Sequence, residues 1–452
     1  MSTASISWNT LNERKNMLVH RRTKRGKLAI TLVATAALAI NVLPAHAINL
    51  HKVDGVSQST ITLGITSPLT GAAAPGYNKV PYAMQAYFNY VNDNGGVNGR
   101  KIKLIIKDDA YNPVLAKSVT NDLVLQSKVL ALVGTLGTAE NEATTRFVND
   151  HGVPRLFVNT GYSGFANATK YPTTYTLLPS YVMEAKIMGQ YIKDNFAGKS
   201  VAIIYQDDDF GADALKGFAI AGTKFVTKIA YPSGSQADPT VVGKWIGGLM
   251  AAKPDVTIMF GVSSATAAAL GGSYKAGFKT QWILGSVGGD GTTIATVAGP
   301  TAVGLLYGAI GASFLPAPTD TTDPYIAQFQ AINTKYNPGV VFDNNVLVGM
   351  NSAMLTVEAL RAAGPTLTRA SLLKAIAKSG STFASAGFAP LGYSATSHVG
   401  YNGYWFGTYG PTGAIKPIGG TYSLYTTDSG TGAVVKATST RPAMPLKGLP
   451  NN

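Results

Sequence analysis

Val129-Leu-Ala-Leu-Val-Gly-Thr-Leu-Gly-Thr-Ala-Glu-Asn-Glu-Ala-Thr-Thr-Arg-Phe-Val148 opens as an apolar run and breaks at Gly134-Thr135-Leu136-Gly137-Thr138. It resumes with helical spacing through Ala143, Phe147 and Val148. Val129 to Val133 is too short for a lone helix and is bounded by glycine, so it reads as a strand buried on both faces of a parallel sheet. A strand, a turn of small residues and a helix start place backbone N–H groups and threonine hydroxyls at the carboxyl edge of a sheet. That edge is where α/β proteins hold anions. The turn is expected to hold one end of a small carboxylate.

The same alternation runs outward in both directions. Upstream, Thr60 to Thr66 and Lys101 to Lys107 read as strands, and Tyr82 to Asn94 and Val114 to Gln126 as helices, with Gly95-Gly96 as a stop. Downstream, Val153 to Val158 is a strand ending in Asn159-Thr160-Gly161-Tyr162. A second set follows Leu177-Leu-Pro-Ser-Tyr181: helix Met183 to Asn195, strand Ser200 to Tyr205, helices Ala212 to Phe225 and Pro239 to Ala252, and strands Val256 to Phe260 and Trp282 to Leu284. From about Tyr307 the chain is expected to return to the first unit with helices Leu347 to Ala363 and Thr368 to Lys378. The tail from about Pro390 reads as short strands and turns. Strands alternating with helices predict an α/β fold of two doubly wound parallel-sheet lobes facing a cleft. The expected boundaries are 48–179 plus 311–389 for lobe 1 and 180–310 plus 390–452 for lobe 2.

The chain has 452 residues, 46% apolar and 13% charged, so large cores can form. It has no cysteine, which removes disulfides, thiol nucleophiles, thiolate metal sites and a lipid-modified N-terminal cysteine. Of five histidines, His20 and His46 fall in the leader, leaving His51, His151 and His398 for any triad or imidazole cluster. Neither an enzyme nor a cofactor or metal site is expected. The net charge is +14, but residues 1–47 hold seven Lys or Arg against one Glu, leaving +8 scattered singly over the rest. Nucleic-acid binding would want a clustered basic footprint.

Residues 1–47 read as a signal peptide: Arg21-Arg22-Thr-Lys24-Arg25-Gly-Lys27, the apolar stretch Leu28 to Leu43, then Pro44-Ala45-His46-Ala47 with cleavage after Ala47. The apolar stretch falls short of the roughly twenty residues that span a bilayer. Met17 would start a leader of more usual length. The mature protein is expected in the periplasm or secreted, and monomeric.

Thr62-Leu-Gly-Ile-Thr-Ser-Pro-Leu-Thr-Gly71, Asn94-Gly-Gly-Val-Asn-Gly-Arg-Lys101, Asp108-Asp109 with Pro113, Gly134 to Thr138, Gly152-Val-Pro154, Leu156 to Gly161 and Ile204-Tyr-Gln-Asp-Asp-Asp-Phe-Gly211 together carry a resemblance. From about Ser59 to Gly410 the chain resembles the ABC-transporter solute-binding proteins of the branched-chain amino acid type. The resemblance implies a type I clamshell that closes on a small ligand and hands it to a membrane permease. It implies that Thr138, between Gly137 and Ala139, binds the ligand carboxylate through its hydroxyl and N–H. Asn159, Thr160 and Gly161 would add further bonds, and Phe210 would close over the ligand from lobe 2. Tyr77 and Val262 fall near or at positions where the family often has tyrosine. Tyr162, Ser263 and Ser286 lie on strand-end loops facing the same cleft.

Two departures stand out. Gly137 lies where some members have a disulfide cysteine. The lobe-2 loop that in the family carries an acid for the ligand's ammonium reads Gly285-Ser286-Val287-Gly288, with no carboxylate. An ammonium buried without a counter-charge is costly, so the ligand is expected to be an aromatic or aliphatic acid, or an apolar amino acid if Asp290 or Glu140 reaches in. Asp207-Asp208-Asp209 lacks EF-hand spacing and reads as a helix N-cap. Gly161-Tyr-Ser-Gly164 is not a hydrolase elbow. The same clamshell could serve a signalling sensor, the other function weighed.

Overall fold

The computed structural model describes residues 53–299 and 303–450. The expected leader, its cleavage site and the alternative start at Met17 lie outside the described residues. Among the described residues no helix is long and apolar enough to cross a membrane.

The first sheet is built from β1 (Thr60–Ser67), β2 (Lys101–Asp108), β3 (Ala131–Val133), β4 (Arg155–Val158) and β5 (Thr174–Thr176). All pair in parallel, in the order β2-β1-β3-β4-β5. Parallel strands need crossover connections, supplied by α1 (Ala74–Tyr77) with α2 (Val80–Asp93), by α3 (Pro113–Asn121) and by α4 (Thr138–Asp150). Ile61, Leu63 and Ile65 of β1 are buried. The apolar run that opened the reading is buried from Val129 to Val133, with ladder geometry only from Ala131.

The second sheet begins after α5 (Tyr181–Asn195). It takes β6 (Val201–Gln206), α6 (Asp209–Ile220), β7 (Phe225–Tyr231), α7 (Pro239–Ala252), β8 (Val256–Phe260), α8 (Ser263–Lys275), β9 (Gln281–Leu284), α9 (Gly291–Ala298), α10 (Val303–Leu306) and β10 (Ile310–Ser313). The chain then returns to the first lobe as α11 (Pro324–Tyr336), α12 (Asn344–Ala362) and α13 (Arg369–Ser379), with α11 and α12 packed on α2. Finally β11 (Gly403–Tyr409), β12 (Ile415–Pro417), β13 (Leu424–Thr426) and β14 (Val435–Ala437) extend the second sheet. Its order is β14-β13-β11-β10-β9-β8-β6-β7, with β12 on β11.

Three expectations about the chain's path are corrected. The helix read to Phe225 stops at Ile220, and Phe225–Tyr231 is an edge strand whose side chains alternate between partly buried and exposed. The return to lobe 1 comes after Ser313 and not near Tyr307, because β10 pairs with β9 in the second sheet; the expected boundary at 310/311 falls inside that strand. The tail does not stay with lobe 2. Beyond β14 it runs back to lobe 1, where the Tyr87 hydroxyl donates to Gly448 O at 2.7 Å and Arg441 pairs with Asp323.

Both sheets share one arrangement. In the first, β1 lies between β2 and β3; in the second, β6 lies between β7 and β8. The direction of winding reverses between β1 and β3, and again between β6 and β8. The loops leaving those strands diverge at each reversal and open a crevice at the carboxyl edge. The segments crossing between lobes brace one another: Gly400 N donates to Thr176 Oγ1 at 2.9 Å, and the Tyr393 hydroxyl donates to Thr176 O.

Candidate functional site

The two crevices face each other across one narrow cavity of about 20 Å³. Lobe 1 lines it with Tyr77, Tyr111, Leu136, Gly137, Thr138, Asn159 and Leu178, and lobe 2 with Tyr181, Phe210, Val262 and Val287. Every one of these residues follows a strand of the two sheets. Tyr77 follows β1, Tyr111 β2, Leu136 to Thr138 β3, and Asn159 β4; Phe210 follows β6, Val262 β8 and Val287 β9.

The polar end is the start of α4. Gly137 is its N-cap with φ at +97°, a conformation open to glycine at little cost. The first turn of a helix leaves its N–H groups without intrahelical acceptors and carries positive partial charge. The Thr138 and Thr160 hydroxyls lie 2.7 Å apart, both buried. Asn159 presents a buried Nδ2 with no protein partner. These groups form a cluster of donors beside the cavity, suited to a carboxylate.

The opposite side is apolar. Phe210 packs on Tyr181 and Phe260 with ring centroids 4.4 and 5.1 Å away. Asp208 sets Phe210 in place by capping α6, accepting from Phe210 N at 3.0 Å and Gly211 N at 3.4 Å. The middle of the acidic triplet is therefore the expected N-cap. Lobes meet around the cavity through polar contacts. The Tyr77 hydroxyl donates to Val287 O at 2.5 Å, Gln206 Nε2 donates to the Tyr111 hydroxyl at 3.1 Å, and Ser264 Oγ donates to Ala72 O at 2.7 Å.

Of the residues singled out in the sequence, Tyr77, Gly137, Thr138, Asn159, Phe210 and Val262 lie together in the cavity wall. The other six do not line it. Ala139 sits one position further along α4. Thr160 stands behind Thr138. Gly161 underlies Tyr181, where an added Cβ would come within 2.8 Å of the ring and 2.6 Å of Pro179 O. Tyr162 turns away to pack edge-on against Phe165. Ser263 begins α8 with its hydroxyl buried and without a protein partner. Ser286 gives its N–H and its hydroxyl to Glu184. Tyr111, Leu136, Leu178, Tyr181 and Val287 were not anticipated as lining residues. Their signal was position alone, since each also follows the end of a strand.

A second, larger cavity of about 190 Å³ lies beyond Ser286, between Asp290, Phe314, Asp343 and Tyr409. It is away from both winding reversals. Asp290, which could have supplied a counter-charge to a ligand, is committed in its wall. Oδ1 caps α9 through Thr293 N at 2.6 Å, and Oδ2 accepts from Asn344 N across the lobes at 3.1 Å.

Several carboxyls near the small cavity are buried. Desolvation disfavours their charged form, pushing Glu140 up to about 8 and Asp109 up to about 7, and raising Asp208. In the other direction, burial lowers the Arg155 guanidinium to about 9. That side chain ties α4 to the sheet from behind. It donates to Asn141 O at 2.6 Å, to the hydroxyls of Thr144 and Thr145 at 3.0 and 2.8 Å, and to Thr174 Oγ1 at 3.2 Å.

The sequence profile of the periplasmic binding proteins matches residues 60–414. A Leu/Ile/Val-binding protein homolog from Brucella melitensis is 25% identical over 320 residues, covering 70% of this chain and 83% of its own. A branched-chain amino acid ABC transporter protein from Thermus thermophilus, solved with bound valine, is 19% identical; the match covers 83% of this chain and 98% of that one, with a TM-score of 0.72. A fatty acid ABC transporter substrate-binding protein from Thermomonospora curvata is 22% identical, with 86% and 94% covered and a TM-score of 0.66. At these identities the two solved structures speak for the fold alone.

Proposed function

Because the chain belongs to the periplasmic binding protein family, we propose that it is the extracytoplasmic receptor of an ABC importer and binds a small apolar carboxylate between its lobes. The family binds solutes and performs no chemistry on them. One observation carries the ligand class: the α4 N-terminus, the Thr138 hydroxyl and the unpartnered Asn159 amide converge on a cavity whose far wall is Tyr181, Phe210, Val262 and Val287. Donors on one side and hydrocarbon on the other suit a molecule with a carboxylate head and an apolar body. The Brucella relative's name, a Leu/Ile/Val-binding protein homolog, supports the same class.

Contacts to both lobes favour the closed arrangement, so binding shifts a population and drives no reaction. The closed receptor is then the form a permease in the cytoplasmic membrane would recognise. The test is thermal-shift screening of the chain from residue 48 against apolar amino acids and aromatic and aliphatic acids. A ligand that binds only the folded state raises the midpoint. If no carboxylate of either kind raises it, the ligand class is wrong.

A further inference from the structure

Among the described residues, lobe 2 lines the cavity with no carboxyl or amine, and Asp290 is occupied by α9 and Asn344. Just behind its side of the wall, lobe 1 holds a carboxyl that is not committed. Glu140, in the first turn of α4, is 4% exposed, and its Oε2 has no partner in the protein. The carboxyl lies directly against the cavity wall. A Cβ built on Gly137 would be 2.0 Å from that oxygen and 3.1 Å from the Tyr111 ring, and both Gly137 and Tyr111 line the cavity. The charged groups acting on Glu140 are Asp109, from the loop after β2, and Asp208, from the loop after β6 of lobe 2; both are acidic. Tyr111, neutral, stands between the sites and accepts from Gln206. Asp109 adds a second buried oxygen, Oδ2, without a partner. A buried acceptor left unmade is costly, and this region holds two, with no Lys or Arg acting on Glu140.

We propose that Glu140 receives the amino group of an amino-acid ligand whose carboxylate sits on Thr138, so that lobe 1 holds both polar ends and lobe 2 supplies only apolar cover. The proposal rests on the reading of the cavity as a carboxylate site. An α-amino acid carries both charges on one carbon, so their partners must lie close together; the Glu140 carboxyl folds back onto Gly137, the N-cap beside Thr138. The lobe-2 wall of Tyr181, Phe210, Val262 and Val287 then closes on the side chain. An ammonium also reverses the cause of Glu140's raised affinity for protons, because an opposite charge at contact favours the carboxylate. Binding an amino acid therefore expels the proton that burial holds on Glu140, and affinity rises with pH up to about 8. A ligand without the amine leaves Glu140 neutral at low pH and meets a repelling carboxylate at high pH, so its affinity falls instead.

The experiment is calorimetric titration of the chain from residue 48 with matched pairs: leucine against isocaproate, and phenylalanine against phenylpropionate. Each is run at acidic and mildly alkaline pH, with the wild type and E140Q. The amino member should bind the wild type more tightly, gaining up to about tenfold per pH unit as one proton is released. E140Q should lose at least about tenfold for the amino member, keep the desamino member, and show no such pH slope. The assignment is overturned if the desamino member binds the wild type as well as its partner, or if E140Q keeps the preference. Should E140Q not fold, the wild-type slopes decide: affinity for the amino member that falls with pH means Glu140 serves as a proton donor to the carboxylate, and refutes the assignment. If neither member of either pair binds, the carboxylate reading fails and takes this one with it.

Discussion

Thr138→Val probes the polar end of the cavity with little change of shape. The hydroxyl is buried, 2.7 Å from the Thr160 hydroxyl, and lies at the N-terminus of α4 beside the cavity. Valine has similar volume, so no void forms, and the backbone N–H of residue 138 is retained. What is lost is one charge-assisted hydrogen bond to the ligand carboxylate, worth about 1.5–3 kcal/mol. Kd should therefore rise about tenfold to a hundredfold without binding being abolished. The cost to the unliganded fold is smaller, about 1 kcal/mol, because Thr160 Oγ1 still accepts from Tyr162 N at 3.3 Å. Calorimetry with the tightest ligand of the screen reads the first effect and thermal unfolding without ligand the second. Thr138→Ser, which keeps the hydroxyl, should retain most of the affinity. An unchanged Kd in a folded Thr138→Val protein would remove Thr138 from the site.

Other consequences follow from single contacts. Tyr77→Phe deletes the hydroxyl that joins the lobes through Val287 O; closure should weaken by about 1 kcal/mol or more, seen as a Kd raised at least about fivefold, and an equal Kd would argue against closure through this contact. Arg155→Met removes the charged donor shared by Asn141 O and the hydroxyls of Thr144 and Thr145 and should cost about 2–4 kcal/mol of stability, measured as a lower urea midpoint; a loss below about 0.5 kcal/mol would mean that α4 is anchored otherwise. Stability should also fall as pH rises from about 5 to about 8. Glu140 is raised to about 8, and Asp109 and Glu184 to about 7. Acids whose folded pKa exceeds the unfolded value hold more protons when folded, so their contribution is complete at low pH and is lost as pH climbs through the folded pKa, at most about 1.4 kcal/mol per pH unit for each group. Thermal midpoints across that range, in wild type and E140Q, check the sign; a rising midpoint would contradict it.

The strands that frame the site were readable because parallel sheets bury both faces: Val129 to Val133 carries no polar residue, and Val256 to Phe260 only the β-branched Thr257. Elements near the periphery were not. In Ser263–Lys275 serine, alanine and glycine fill both faces, which leaves no apolar stripe to detect. Phe225–Tyr231 alternates as an edge strand should, but its first residue extends the preceding helical spacing. Thr174–Thr176 is fully buried while mostly polar, a pattern no hydropathy rule assigns to a strand. At the site, Thr138, Asn159 and Phe210 were legible from their places at strand ends. Tyr181 and Val287 depend on how far each loop folds back, and Ser286 was misplaced because Glu184, a hundred residues away in the chain, takes both of its donors. The fate of Asp290 was equally hidden, since its partner Asn344 belongs to the other lobe.

The central claim is that a carboxylate lies at the α4 N-terminus with its apolar body under Phe210. A crystal structure of the chain from residue 48, grown with the tightest carboxylate found by thermal shift, tests it most directly. The account predicts carboxylate oxygens within hydrogen-bond distance of Thr138 N and Oγ1 and of Asn159 Nδ2, with the body between Tyr77, Phe210 and Val262. A ligand seated instead in the larger cavity beside Ser286 and Asp290, or turned so that its carboxylate faces lobe 2, would contradict it.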